Sequence, residues 1–244
     1  MQSSHSIHIA LALPGYYPQN RAGTEAYVRN IAIYLLEQGY KITIIIPDPS
    51  GKLEPYTHES IPVYPFPVPE YAGAKEMNGL APPSGLEAFK ALLQELQPDI
   101  LHLHSLNRAL DSRHLQAAMD RGIKTIFTGH LGGTFCVKGN LLLHGQENCD
   151  GRVSKRRCTA CYLQSKGIQP PLNKPGALLL SDLRLAKLLA LRRPAYNLIN
   201  FKAQELATLS KADRVIALGP WMQKAYTLND LTNVTLVSQG INTQ

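Results

Sequence analysis

Short apolar runs alternate with amphipathic helical patterns along most of the chain. The first unit has an apolar run over 7–13, a loop rich in Pro and Gly over 14–25, a helical pattern over 26–38 and a second apolar run over 42–46. Both apolar runs are bounded by turn formers, as expected for strands covered on both faces. Parallel strands joined in this way need a crossover helix, and such crossovers are almost always right-handed.

The same alternation continues towards the carboxyl end. Further strands are predicted at 100–105, 123–128, 213–218 and 234–237. Further helices are predicted at 86–96, 110–121, 177–210 with a break or kink at Pro194, and 220–226. Segment 61–69 contains four prolines, which lack the donors that a ladder needs, so we predict an edge strand or extended loop and not a central strand. Residues 131–176 are predicted to form a long loop. The pattern predicts an α/β fold with a doubly wound, Rossmann-like parallel sheet.

Length and composition are consistent with one domain over 1–244. The chain has 244 residues, of which 44% are apolar, enough for a large buried core. No stretch reaches the roughly 18 apolar residues of a membrane span, and residues 1–13 lack the basic start of a signal peptide. We therefore expect a cytoplasmic protein with reduced thiols.

The net charge of +7 is unevenly distributed. Residues 1–100 carry six Lys and Arg against ten Asp and Glu, whereas 101–244 carry nineteen against eight. Most of the excess lies over 152–193, where Asp182 is the only acid. A clustered basic zone indicates an anionic partner such as phosphate or phospholipid, although scattered lysines usually serve solubility.

Leucines alternate with basic residues in the second half of this zone. The basic positions are Arg184, Lys187, Arg192 and Arg193. Such a helix could lie on an anionic membrane, at the inner face, and bring the protein to a lipid-linked partner. The more common arrangement is a helix packed on its own domain with solvated basic tips.

Four cysteines lie within 26 residues, with the spacing C-x12-C-x8-C-x2-C. They are Cys136, Cys149, Cys158 and Cys161. In a reducing compartment this spacing favours a metal over disulfides, and four thiolates suit a closed, structural zinc site. Neighbouring basic residues, Arg157 among them, are expected to favour the thiolate form. An iron–sulfur cluster, a redox pair and unlinked thiols are the alternatives.

The sequence lacks the common nucleotide-binding fingerprints. No Gly-x-Gly-x-x-Gly follows the first strand, and no Walker A sequence is present. These absences disfavour an ordinary nicotinamide enzyme and a phosphate-loop ATPase.

Six segments, taken in order, carry a family resemblance. They are Ala22-Gly-Thr-Glu25, Gln38-Gly-Tyr-Lys-Ile-Thr-Ile44, Pro98-Asp-Ile-Leu-His-Leu-His-Ser105, Thr128-Gly-His130, Lys211-Ala-Asp-Arg-Val-Ile-Ala217 and Asn233-Val-Thr-Leu-Val-Ser-Gln-Gly-Ile-Asn242. Together they resemble the amino-terminal domain of family-four glycosyltransferases, which have the two-domain GT-B architecture. The chain departs from the family pattern at Ala22, Gly219 and Asn242, where Gly, Ser and Asp are usual.

The resemblance implies transfer of a sugar from a nucleotide-sugar donor to an acceptor, glycan or lipid-linked, with retention at the anomeric carbon. It implies no divalent metal for the chemistry. The family's second domain, which holds the nucleotide and carries a Glu-x7-Glu element, has no counterpart in 1–244. We therefore expect this chain to be the acceptor-side half and to act with a carboxyl-terminal domain in the same or another polypeptide.

The resemblance also implies roles for single residues. The backbone at Gly23 would approach a donor phosphate, and Thr24 and Glu25 suit the free amides and positive end of the following helix. His130, at the end of a strand, would hold a sugar hydroxyl or act at the reacting centre. The structural alternatives are a tight turn at Gly23 and a strand-capping role for His130.

His104 and Ser105 end another predicted strand and are further candidates for donor contact. His102 and His104 share one strand face, so a structural role explains them equally well.

Two other classes of function are consistent with the sequence. A non-catalytic module of the same fold would bind a glycan, an anionic lipid or a protein partner without turnover. Nucleic-acid binding through 152–193 would need stacking side chains, and Tyr162 is the only aromatic residue there. We therefore expect no nucleic-acid partner.

Overall fold

The computed structural model describes residues 6–168, 175 and 193–239. The strands are His8–Ala12 (β1), Lys41–Asp48 (β2), Tyr56–His58 (β3), Ile61–Pro67 (β4), Ile100–His104 (β5), Lys124–Thr128 (β6), Leu142–Leu143 (β7), Glu147–Asn148 (β8), Arg214–Ala217 (β9) and Val234–Leu236 (β10). The helices are Gly23–Glu37 (α1), Ala74–Met77 (α2), Leu86–Leu96 (α3), Ser112–Met119 (α4), Lys155–Ser165 (α5), Arg193–Leu209 (α6) and Pro220–Thr227 (α7).

Eight strands form one sheet in the order β10-β9-β6-β5-β1-β2-β4-β3. All neighbours pair in parallel except β3 and β4. Strands β7 and β8 form a separate antiparallel pair. The predicted doubly wound α/β fold is confirmed.

The two faces of the sheet are covered by different helices. On β1, Ile9 and Leu11 pack in a core with Val28 of α1, whereas Ala10 and Ala12 face the core that contains residues of α3, α4, α6 and α7. The register pairs Leu11 with His102, so the even-numbered positions of β5 lie on the α1 face.

Helix boundaries follow local signals closely. The bounds of α3 are those predicted from its leucine pattern, and Pro220 occupies the first turn of α7. The helix α4 begins two residues later than predicted, because Asp111 caps it by accepting a hydrogen bond from the backbone N–H of Arg113 at 2.8 Å.

The prediction that segment 61–69 is not a central strand is wrong for its first part. The strand β4 lies between β2 and β3, but β3 pairs only with Ile61–Val63. Along Tyr64–Pro67 the described pairing is with β2 alone. The prolines are tolerated because most of β4 uses only one side of its backbone in a ladder.

The predicted long loop over 131–176 contains regular structure. A 3₁₀ turn at Gly132–Thr134, the β7–β8 pair and the eleven-residue α5 lie within it. The basic leucine-rich stretch over 178–192 is outside the described residues. In the part of the chain described here, no helix combines the length and apolar character needed to cross a membrane.

Candidate functional site

A cleft of about 620 Å³ opens at the carboxyl edge of the sheet, and its walls include Gly23, Thr24, Glu25, Ser105 and His130. Three separate stretches of sequence supply these residues. They meet because β1, β5 and β6 are neighbours and their carboxyl ends share one edge. The structure thus brings together five of the six non-cysteine residues predicted for the site.

The backbone at Gly23, at the start of α1, is open to the cleft. A Cβ added to Gly23 would meet no atom within 4 Å, and the residue does not have a positive φ. Neither packing nor the backbone angle therefore requires glycine here. The carboxylate of Glu25 accepts a hydrogen bond from the backbone N–H of Ala22 at 3.1 Å, and so fixes the helix start.

Three histidines form a continuous group from the sheet to the cleft. The ring centroids of His102 and His104 are 3.9 Å apart, and Nδ1 of His104 lies 3.3 Å from Nε2 of His130. The Nε2 of His102 lies 2.8 Å from Oγ1 of Thr128. His104 is fully buried, so of the three only His130 lines the cleft.

Burial keeps these imidazoles uncharged at neutral pH. It lowers the pKa of His130 to about 4 and, with a smaller contribution from His130, the pKa of His102 to about 3. Burial and the two neighbouring imidazoles hold the pKa of His104 well below its usual value. An uncharged His130 can donate or accept one hydrogen bond at the cleft without bringing a charge to it.

Ser105 has an unusual backbone conformation and a buried hydroxyl without a partner among the described residues. Its φ is +65°, in the left-handed region that costs a non-glycine residue energy. Its backbone N–H donates to the carbonyl of Thr128 at 2.9 Å, and its buried hydroxyl has no hydrogen-bond partner among the described residues.

Sequence reasoning missed Tyr27. Its ring meets the ring of His130 edge-on at 5.0 Å between centroids, and that of His104 at 6.0 Å. The signal was its position four residues after Gly23, which places both on one helix face.

A side cavity adjoins the cleft. It has a volume of about 300 Å³, and it shares Leu106 and Asn107 with the cleft. Its walls come from the loop after β5, residues 136–139, α6 and the end of α2. Sequence reasoning missed this side cavity because its walls are distant in sequence and carry no common motif.

All four cysteines line one small cavity of about 30 Å³, beneath α6. Within the described ranges, no three or more His, Cys, Asp or Glu side chains are grouped so as to hold a metal ion. None of the cysteines is in a disulfide. The thiols therefore share a cavity without converging on one point.

Backbone amides nevertheless point at two of the sulfurs. The N–H of His144 donates to Sγ of Cys161 at 3.2 Å, and that of Ser154 to Sγ of Cys158 at 3.3 Å. Arg157 lowers the pKa of Cys158, as expected from a basic neighbour, but it does not make the thiolate the favoured form. Burial raises its pKa by more than Arg157 lowers it, and the guanidinium of Arg157 is itself bonded to Asp150.

Comparison with known proteins gives the family. The model of the "Glycosyl transferase 4-like domain" matches residues 22–237. No curated protein sequence matches the chain. Among solved structures, Os79 from O. sativa in complex with U2F and trichothecene is 13% identical, with 94% of this chain and 52% of that chain covered and a TM-score of 0.45.

Two other solved structures are similarly remote. The spinosyn forosaminyltransferase SpnP is 12% identical, with coverage of 96% and 51% and a TM-score of 0.44. MurG of Acinetobacter baumannii is 14% identical, with coverage of 52% and 35% and a TM-score of 0.35. This chain spans about half the length of the first two and about a third of the last. Because the family model covers most of the sequence, the chain belongs to the glycosyl transferase 4-like domain family.

Proposed function

We propose that this domain takes part in the transfer of a sugar from a nucleotide-sugar to an acceptor, with retention at the anomeric carbon. Family membership supports glycosyl transfer. The observation that carries the proposal is the cleft itself, which combines the open start of α1 at Gly23 with the uncharged imidazole of His130.

The start of α1 would serve the leaving group. Negative charge grows on the donor diphosphate as the sugar leaves, and the amides at Gly23 and Thr24 lie at the positive end of the α1 dipole. A side chain at position 23 would stand between the backbone and that phosphate.

His130 would act beside the reacting carbon. Its outward nitrogen can hold a hydroxyl of the transferred sugar or of the acceptor, while its Nε2 is engaged with His104. We assign His104 to positioning, because it is fully buried and reaches the cleft only through His130. Tyr27 packs edge-on against the ring of His130, and Ser105, with its buried hydroxyl, lines the same cleft.

We propose that 1–244 is the acceptor-side domain of a GT-B enzyme, with an insert over about 131–176. A carboxyl-terminal domain, in the same chain or supplied separately, would hold the nucleotide, and the site would form when the two domains close. The acceptor would be a glycan or a lipid-linked sugar.

The test is a donor screen with the domain joined to, or mixed with, its donor-binding partner. UDP-, GDP-, ADP- and dTDP-sugars are incubated with protein, and release of the nucleoside diphosphate is measured. The anomeric configuration of the first product is then read by proton NMR. Release with a retained anomer supports the proposal. Binding of glycans without release from any donor would favour the non-catalytic module instead.

We also propose that the four cysteines bind a structural zinc ion. Two observations support this: the thiols share a cavity of about 30 Å³, large enough for an ion, and backbone amides donate to two of the sulfurs. Zinc would draw the sulfurs together at about 2.3 Å from the metal. The site would be closed, with no position for a substrate.

Elemental analysis of protein purified without chelator tests the zinc site. We expect one zinc per chain, which is lost when Cys158 and Cys161 are both replaced by Ser. Iron with visible absorbance would indicate a cluster. Protein without any metal, when expressed in zinc-supplemented medium, would contradict the proposal.

A cytoplasmic location, with contact to the inner face of the membrane, remains a prediction from sequence. The basic zone around 152–193 supports it through its charge. Flotation with liposomes containing anionic lipid at low salt is the test, and absence of the protein from the lipid fraction would contradict it.

A further inference from the structure

We propose that the side cavity binds a neutral sugar unit of the acceptor, so that the acceptor is an oligosaccharide of at least two units. This inference rests on the proposed glycosyl transfer and names the substrate class more closely. It follows from the position of the side cavity, from the balance of charges in its lining, and from a buried ion pair and an aromatic ring in its walls.

The position comes first. The side cavity and the cleft share Leu106 and Asn107, so they are adjacent spaces with one common wall. In this proposal, a terminal sugar held at His130 places its neighbouring unit in the adjacent side cavity. Volumes of about 620 and 300 Å³ are in the range of pockets that bind small ligands.

The charges of the lining residues are balanced. Three acids and three bases contribute: Glu76, Asp111 and Glu205, and Arg108, Lys138 and Lys202. An anionic unit would meet the three carboxylates, and a cationic unit would meet the three bases. A polyhydroxyl ring satisfies both, because each hydroxyl can donate to a carboxylate and accept from an ammonium or guanidinium group.

The lining of the side cavity includes a buried ion pair, Lys202 and Glu205. Glu205 is 2% exposed and accepts a hydrogen bond from Nζ of Lys202 at 2.6 Å. A buried ion pair persists only when both charges are partnered, so these two groups are held at defined positions. They form the kind of placed polar group that orients a ligand in a pocket.

An aromatic ring lies beside that pair. Phe201 lines the side cavity, and the guanidinium of Arg113 lies 4.9 Å from its ring centroid. Arg113 is itself anchored to Asp111 and to the carbonyl of Ala81. The guanidinium occupies one face of the ring, and a sugar would meet the part of the ring that lines the side cavity, next to groups that bind its hydroxyls.

A binding experiment tests the inference without turnover. The probes are neutral and acidic mono-, di- and trisaccharides on a glycan array, followed by calorimetric titration of the best neutral oligosaccharide and of its terminal monosaccharide. We expect the oligosaccharide to bind at least about tenfold more tightly, equivalent to about 1.4 kcal/mol.

Gly133→Leu is the informative variant. Gly133 lines the side cavity, and a Cβ there would meet no atom within 4 Å, so a side chain can begin at this position without a clash and take up space in the side cavity. We expect this variant to lose the tenfold advantage and to keep the affinity for the monosaccharide. Gly73→Leu, outside both cavities, is the control and should bind as the unmodified chain does.

The buried ion pair supplies a second variant. Lys202→Met with Glu205→Gln removes both charges together and should also weaken oligosaccharide binding. The matched control is Lys90→Met with Glu87→Gln, which removes an exposed pair of the same spacing on α3.

The outcomes separate the two proposals. Equal affinity for monosaccharide and oligosaccharide, preference for acidic glycans, or no binding of any neutral oligosaccharide overturns the inference. Selective oligosaccharide binding without turnover on any donor supports the side-cavity assignment and overturns the transferase proposal. Turnover on an oligosaccharide acceptor at an unchanged rate in Gly133→Leu supports the transferase proposal and overturns the side-cavity assignment.

Discussion

The cleft and the cysteine-bearing insert are positioned by different means. At the cleft, the buried His104 ends a central strand and His130, which lines the cleft, follows the next strand, so the sheet sets their separation. The insert has two strands of two residues, the helix α5, and four thiols around a small cavity. A sheet positions the residues at the ends of its strands by itself. A loop-rich segment needs contacts with the rest of the domain to position its residues.

The insert is attached to the domain by packing and by hydrogen bonds: α5 packs against α6, and Phe135 belongs to the core that contains residues of α7. Asn229, after α7, accepts a hydrogen bond from the N–H of Val153 at 2.8 Å and donates to the carbonyl of Gly151 at 2.9 Å. Gly151 has a φ of +80° and lies so close to Ala225 that a Cβ would come within 2.7 Å of it. A metal at the thiols would add a further anchor.

The largest expected effect concerns this anchor. Replacing Cys158 and Cys161 by Ser should speed amide hydrogen exchange in α5 by about 100-fold or more, because structural zinc contributes many kcal/mol to the order of its loop. Exchange in β1, β5 and β6 should not change. Thr159→Ser, in the same helix, is the control. Unchanged exchange in α5 would show that the insert is ordered without a metal.

The second effect concerns His102 and His104, which are buried behind His130. Unfolded imidazoles take up protons near pH 6.5, but burial lowers the pKa of His102 to about 3 and that of His104 also. Below pH 6.5 the folded state therefore binds fewer protons than the unfolded state. The free energy of unfolding decreases as the pH falls towards 4. The loss at pH 5 should be about 2 kcal/mol for each fully buried ring. The raised pKa of Glu205 offsets part of it.

Urea unfolding at pH 7 and pH 5 measures this loss. His102→Asn should reduce the difference between the two pH values, whereas His58→Gln, remote from the cleft, should leave it unchanged. Equal stability at both pH values would mean that the histidines are protonated in the folded state.

A smaller effect is expected at Gly23. Gly23→Ala should raise the KM for the donor by about tenfold, since the methyl group enters the space proposed for the phosphate. Stability should stay the same or rise by about 0.4–1 kcal/mol, because alanine restricts the unfolded chain and nothing clashes. Gly73→Ala is the matched control. An unchanged KM would remove Gly23 from the binding site.

The smallest effect concerns the helix cap. Glu25→Gln keeps the hydrogen bond to the N–H of Ala22 but removes the carboxylate charge from the positive end of α1. The free energy of unfolding should fall by about 0.3–1 kcal/mol. Thermal unfolding at low and high salt checks this, because a dipole interaction weakens when salt is added.

Local signals predicted the elements, and long-range neighbours decided the rest. The bounds of α3 follow from leucines at helical spacing and Pro98 beyond them. The strand β4 is an inner strand because it pairs with β3, a three-residue strand that no pattern in the sequence predicted. The helix α5 was missed because its cysteines and basic residues have no apolar period.

The site shows the same division. Gly23 and His130 were found because each lies at the end of a strand or the start of a helix, where a sheet of this kind binds ligands. Tyr27 and the side cavity were missed, because their role depends on which side chains the folded sheet places opposite them. The balance of charges in the side cavity could not be predicted, because its charged residues are spread over positions 76–205 of the sequence.

The most direct test of the central claim is the turnover of His130→Ala together with its donor-binding domain. We expect kcat to fall by about 10²–10⁴-fold. The KM for the donor should stay within a few-fold and the melting temperature should not fall. His58→Ala, whose ring stacks on Tyr17 away from the cleft, should keep full activity. Transfer by His130→Ala at the unmodified rate would contradict the assignment of the cleft as the site of sugar transfer.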